Sequence, residues 1–130
     1  MKRRLAYVSL LIDDYDNAIN YFTEVLGFTV AQNEQLADGK RWIVVAPSAA
    51  EGALLLLAKA STPEQRALVG KQGGGRVWLF LHTDNFDRDY ARMQRHGVWF
   101  EALPRNEAYG RVVIFVDRWG NRWDLIEPRR

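Results

Sequence analysis

The sequence predicts an α+β fold of two βαβββ repeats, which together form a curved mixed sheet with helices on its convex face. Three observations carry that expectation. A strand, an amphipathic helix and three more strands can be read between Leu5 and Ala58, and the same order restarts at Arg76 after a glycine-rich stretch. The chain then closes on a strand, a Gly-Asn turn and a second strand between Arg111 and Glu127. Either repeat alone would leave one sheet face uncovered, so the two are expected to pair.

The chain of 130 residues suits a single domain, with a first repeat over about 1–60, a connector over about 61–75 and a second repeat over about 76–130. Hydrophobic residues at 48% and charged ones at 26% are globular proportions that can supply a core. Basic residues number 18 against 16 acidic ones and are interleaved with them, the excess lying in Lys2-Arg3-Arg4 and Arg129-Arg130. That distribution lacks the clustered basic face of a nucleic-acid binder. The absence of cysteine excludes disulfides, thiolate catalysis and Cys-ligated zinc. The apolar run Ala53 to Ala58 is too short to cross a membrane, and no signal-type core follows the N-terminal charges. The expectation is a soluble, cytoplasmic protein with no nucleic-acid or membrane partner.

Leu5 to Ile12 reads as a strand, apolar on both faces. Tyr15 to Leu26 places Ile19, Phe22, Val25 and Leu26 at helical spacing, with Asp13 or Asp14 as N-cap and Gly27 as the stop. Phe28 to Gln32, Arg41 to Ala46 and Ala53 to Ala58 read as strands, joined by a turn at Ala37 to Lys40 and a loop at Pro47 to Gly52. Thr62-Pro63-Glu64-Gln65 starts a short helix running to about Val69, and Lys71 to Gly75 is a connector rather than a phosphate-cradling loop. Val77 to His82 then opens the second repeat. Asn85-Phe86-Asp87 matches the helix entry Asp14-Tyr15-Asp16, Gly97 matches Gly27, and Val98 to Phe100, Arg111 to Val116 and Arg122 to Glu127 are the matching strands.

The openings DDYDNAINYFTEVLGF and DNFDRDYARMQRHGV, with the closing FVDRWGNRWDLIE, resemble the vicinal-oxygen-chelate superfamily, the glyoxalase/bleomycin resistance protein/dioxygenase group, over nearly the whole chain. The closing stretch is similar to that group's Asp-Pro-x-Gly-Asn-x-x-Glu ending, with Arg118 in the place of Pro. The resemblance implies a half-open cup around a cavity and a homodimer. It also implies a divalent-metal site with ligands on four strand positions, which fall here on Tyr7, Leu56, Trp78 and Asp124. Only Asp124 offers a good donor, so no metal or other cofactor is predicted and metal-dependent lyase, dioxygenase or transferase chemistry is disfavoured. A divalent site through Asp124 and His82 is the alternative.

Strand alternation puts Arg122, Asp124 and Ile126 on one face and Trp123 and Leu125 on the other. A carboxylate among apolar neighbours needs a polar partner, either an arginine such as Arg41 or Arg111, or a ligand. His82 is read on the same face as Trp78 and Phe80, as a general base, a ligand donor or a strand-end histidine bonded to backbone or Asp84. His96, before Gly97, suits a helix C-terminus. The expectation is therefore a metal-independent small-molecule-binding protein with an aromatic-lined cavity of Tyr7, Leu56, Trp78, Phe80, Arg122 and Asp124. The alternatives are an enzyme of the same superfamily, lyase or dioxygenase-like, using His82 and Asp124, and a ligand-free dimerisation domain. Bleomycin itself suits a mildly basic chain poorly, being cationic.

Overall fold

The computed structural model describes residues 1–48 and 52–130, and the chain divides into two compact units, Met1–Val69 and Gly70–Arg130. Part of the loop expected from Pro47 to Gly52 thus lies outside the described residues. The architecture is mixed α+β, with one open sheet in each unit.

The first unit runs β1 (Tyr7–Ile12), α1 (Tyr15–Asn20), β2 (Thr29–Gln35), β3 (Arg41–Ala46), β4 (Leu54–Lys59) and α2 (Pro63–Leu68). Its sheet has the order β1-β4-β3-β2, with β1 and β4 parallel and the other neighbours antiparallel. Asp14 caps α1 by accepting from the Asn17 N–H, and Thr62 caps α2 by accepting from the Gln65 N–H. The helix expected to run unbroken to Leu26 changes character at Tyr21. Tyr21–Val25 is a π turn in which the Leu26 N–H reaches the Tyr21 carbonyl five residues back. The Thr23 hydroxyl donates to the Ile19 carbonyl at 2.8 Å, occupying an acceptor of the regular ladder. Tyr21 and Phe22 are both buried there, edge to face.

The second unit runs β5 (Val77–His82), α3 (Phe86–Arg95), β6 (Trp99–Phe100), β7 (Arg105–Glu107), β8 (Gly110–Val116) and β9 (Arg122–Pro128). Its sheet has the order β5-β9-β8-β6, with β7 also pairing with β8. Asn85 caps α3 by accepting from the Arg88 N–H, and His96 occupies its C-cap. The strand β7 is absent from the sequence reading because Arg105-Asn106-Glu107 has no apolar alternation to mark it.

Strand alternation divides each sheet into two faces. Leu10, Ile12, Ile43, Val45, Leu55 and Leu57 are buried on the face that the first unit turns to α1, and Val113, Phe115, Trp123 and Leu125 on the face turned to α3. The assignment follows from contacts to the helices: Arg41 pairs with Asp16, Arg111 pairs with Asp87 and lies over the Phe86 ring, and the Phe86 N–H donates to Glu127. The alternate residues of the strands therefore lie on the open face. Among the described residues no helix is long and apolar enough to cross a membrane.

The turn between β8 and β9 is built around one carboxylate. Asp117 Oδ1 accepts from the N–H groups of Trp119, Gly120 and Asn121 at 2.9–3.0 Å. Its Oδ2 accepts from Asn121 Nδ2 at 3.0 Å and Trp123 Nε1 at 2.9 Å. Asp117 is 5% exposed, so these donors replace its lost hydration. Gly70 packs on the same turn. Its φ is +79°, and a Cβ there would stand 1.8 Å from the Trp119 carbonyl oxygen.

Asp117→Ala should therefore destabilise the protein by about 3 kcal/mol or more, since it orphans several buried donors together. Gly70→Ala should also lower the urea midpoint clearly, whereas Gly39→Ala, with open space around its Cβ position, should cost only the backbone strain of its positive φ. Equilibrium urea unfolding of the three variants checks both.

Candidate ligand-binding site

On the open face of the second sheet, β9 contributes Arg122, Asp124 and Ile126. The ladders place Phe80 and Ile114 on either side of Asp124, and His82 and Val112 on either side of Ile126. Asp124 is thus a carboxylate set between an aromatic and a branched aliphatic residue. It is 9% exposed, and its Oδ1 is buried with no hydrogen-bond partner among the described residues. Phe80 beside it is 61% exposed, a large apolar side chain left uncovered within the unit.

Arginines reach Asp124 through the field rather than by contact. Burial raises the Asp124 pKa above the ordinary carboxylate value, and the charges of Arg105 and Arg122 offset part of that rise while Glu101 adds to it. Arg122 is engaged elsewhere: its Nε and Nη2 donate to the two carboxylate oxygens of Glu101 at 2.6 and 2.7 Å, and its Nη1 donates to the Gly75 carbonyl. This fork holds Glu101 below its ordinary value. Arg105, brought to the open face opposite Val112, pairs with Glu107. The sequence points to Arg41 or Arg111 as a partner of Asp124. The structure corrects this: both lie on helix-facing positions, paired with Asp16 and Asp87. Strand parity would have found that for Arg111, whereas Arg105 was hidden by its unmarked strand.

Two further expectations change. The ladder between β5 and β9 slips between Val77 and Leu79, so Trp78 is the extra residue of a bulge and does not share the simple alternation of Phe80 and His82. Its side chain starts against the connector, where a Cβ on Gly73 would stand 2.7 Å from the Trp78 Cβ. His82 is exposed and makes no bond to Asp84, which pairs with Arg88 instead. It sits beside Ile126, two residues along from the Phe80–Asp124 pair, and no hydrogen bond joins it to Asp124.

The open face of the first sheet has its own aromatic group. Leu56 lies opposite Ser9 on β1 and Val44 on β3, and Tyr7 lies opposite Leu54. Tyr7 meets Trp42 edge to face at 5.8 Å, and Gln32 joins them: its Nε2 donates to the Tyr7 hydroxyl and its Oε1 accepts from Trp42 Nε1. Trp42 and Gln32 were missed in the sequence, although alternation along β3 places Trp42 with Val44. Among the described residues, no three His, Cys, Asp or Glu side chains converge in a metal-binding group.

The sequence model of the Glyoxalase/Bleomycin resistance protein/Dioxygenase superfamily matches residues 4–125. The chain belongs to this superfamily. It is 45% identical over 128 residues to an uncharacterized protein of Shewanella frigidimarina (strain NCIMB 400), covering 98% of this chain and 95% of that one. Among solved structures, UcmS2 is 30% identical with a TM-score of 0.81, covering 98% of this chain and 99% of its own. TnmS3, an antibiotic binding protein from Streptomyces sp. CB03234, is 30% identical with a TM-score of 0.79, covering 98% of each chain.

The raised pKa of Asp124 gives a signed expectation. The folded state disfavours the ionised carboxylate, so the wild type gains stability below the unfolded-state value, near ~3.9, and loses it as pH rises through the higher folded-state value. Asp124→Asn stays neutral and escapes that loss. Its stability relative to wild type should therefore rise from about pH 3 to about pH 7, as read from urea midpoints across that range.

Proposed function

We propose that the protein is a metal-independent binder of small apolar molecules, with Asp124 as the polar anchor of its site. The observation that carries this reading is the buried, unpartnered Oδ1 of Asp124 beside the exposed Phe80 ring. An acceptor left in that state costs stability unless a donor arrives, and a ligand bearing an amine, amide or hydroxyl group would provide one. Phe80 would stack on the ligand's flat part while the stem of Arg122, on the same strand face as Asp124, contributes further contact surface. The likeness to TnmS3 supports an antibiotic-type ligand.

The donor set argues against a resident divalent ion. Asp124 has Phe80 and Ile114 as strand neighbours and the positive fields of Arg105 and Arg122 nearby, which repel a second cation. The same arrangement weakens the enzymatic alternative, because His82 and Asp124 are not hydrogen bonded and neither orients the other.

Planar aromatic antibiotics carrying amine or phenol groups should quench tryptophan fluorescence and raise the melting temperature. A ligand at a hundred times its Kd adds about 2.7 kcal/mol of stability. Asp124→Asn should weaken binding roughly tenfold while folding at least as well as wild type at neutral pH. EDTA should leave the affinity unchanged; loss of binding on chelation, restored by one divalent metal, would sink the metal-free reading.

A homodimer belongs to the same proposal, supported by the exposed Trp99, Leu103 and Tyr109 of the second unit. Sedimentation should give twice the chain mass, and Trp99→Ser should shift the equilibrium toward the single chain.

A further inference from the structure

We infer that the first unit carries a separate recognition site for small organic anions, in the cleft where β3 and β4 part. Their ladder holds only at Val44–Leu56 and Val45–Leu55. Continued in register, it would pair Trp42 with Ala58 and Arg41 with Lys59, but the strands diverge before reaching them. The space that opens is a cleft of about 550 Å³ lined by Tyr15, Arg41, Ala58, Lys59, Ser61 and Gln65 among others. Neither Asp124 nor any other residue of the proposed open-face site lines it.

The cleft's chemistry is cationic and aromatic. Among the described residues, Lys40, Arg41 and Lys59 line it against one carboxylate, Asp38. Arg41 and Lys59 both lie over the Tyr15 ring, at 5.4 and 6.0 Å from its centroid. The Arg41 guanidinium is tied at two corners, Nη1 to Asp16 at 2.9 Å and Nη2 to Asn33 at 3.2 Å, and its Tyr15 and strand contacts fix it further. Its Nε is buried and finds no acceptor among the described residues. A buried guanidinium N–H without an acceptor is costly, and a carboxylate or phosphate oxygen is the acceptor that suits it best. The two lysines would meet the remaining oxygens, the Ser61 hydroxyl already donating to Gln65 Oε1 at 3.1 Å. Leu11, Leu36, Ala58 and Ala60 provide an apolar wall, so the ligand is an oxyanion on an apolar body rather than a bare inorganic ion.

Titrating the full chain with benzoate, phenyl phosphate and neutral benzamide, followed by amide chemical shifts, tests this. Both anions should perturb Lys40, Arg41, Lys59 and Ser61 saturably, and the tighter of the two identifies the preferred oxyanion. Lys59→Gln, at an exposed position, should weaken anion binding roughly tenfold with an unchanged melting temperature. Arg41→Lys should also weaken anion binding, because lysine cannot reproduce the Nε donor. Benzamide binding as tightly as benzoate, perturbations that avoid these residues, or wild-type affinity in Lys59→Gln would each overturn the inference. None of these outcomes depends on Asp124, so Asp124→Asn should bind the anions as wild type does.

Discussion

Asp117 is the carboxylate on which the second unit turns. Five donors from four residues close on it, and they belong to the turn itself and to the first buried tryptophan of β9. Trp123 in turn stacks on Phe115 of β8, with ring centroids 5.4 Å apart. The turn therefore fixes the register of the β8–β9 ladder, and a one-residue slip would send Asp124 to the helix face and Trp123 to the open one. Gly70 seals the arrangement by bringing the start of the unit against the Trp119 carbonyl, at a separation no side chain permits.

That division of labour separates two neighbouring carboxylates. Asp117 is buried with its acceptors filled, whereas Asp124, seven residues on, is buried with one oxygen unfilled. The first holds the hairpin together, and the second is the proposed anchor for a ligand. Their contrast rests on donors: a tight turn supplies converging backbone N–H groups, but a central strand spends its own on the ladder.

Much of this was legible in the residues. Period-two alternation placed Arg122, Asp124 and Ile126 together, glycine and cap residues marked the helix ends, and the closing stretch carried the family likeness. Other features depend on context that periodicity does not encode. The bulge at Trp78 adds one residue without altering the apolar pattern, and β7 is polar because one neighbour on its edge suffices to hold it. The roles of Asp117 and Arg105 emerged only from tertiary contacts, since any Asp before a Gly-Asn turn and any exposed arginine would look alike in sequence. The cluster of Tyr7, Gln32 and Trp42 draws on three strands, β1, β2 and β3, and no single-strand pattern encodes it.

The short strands β6 and β7 have a consequence for self-association. Both pair with β8 on one side, with residues 101–104 between them, so that border of the sheet is two brief segments instead of one continuous row of backbone donors and acceptors. In the first unit the corresponding border is β2, where a register shift between Val30 and Gln32 breaks the run and exposed Glu34 adds charge. Neither border offers the long, flat template on which strands of other chains assemble into fibrils. The β2 and β6–β7 borders are thus blunted against strand addition by irregularity and charge rather than by a covering element.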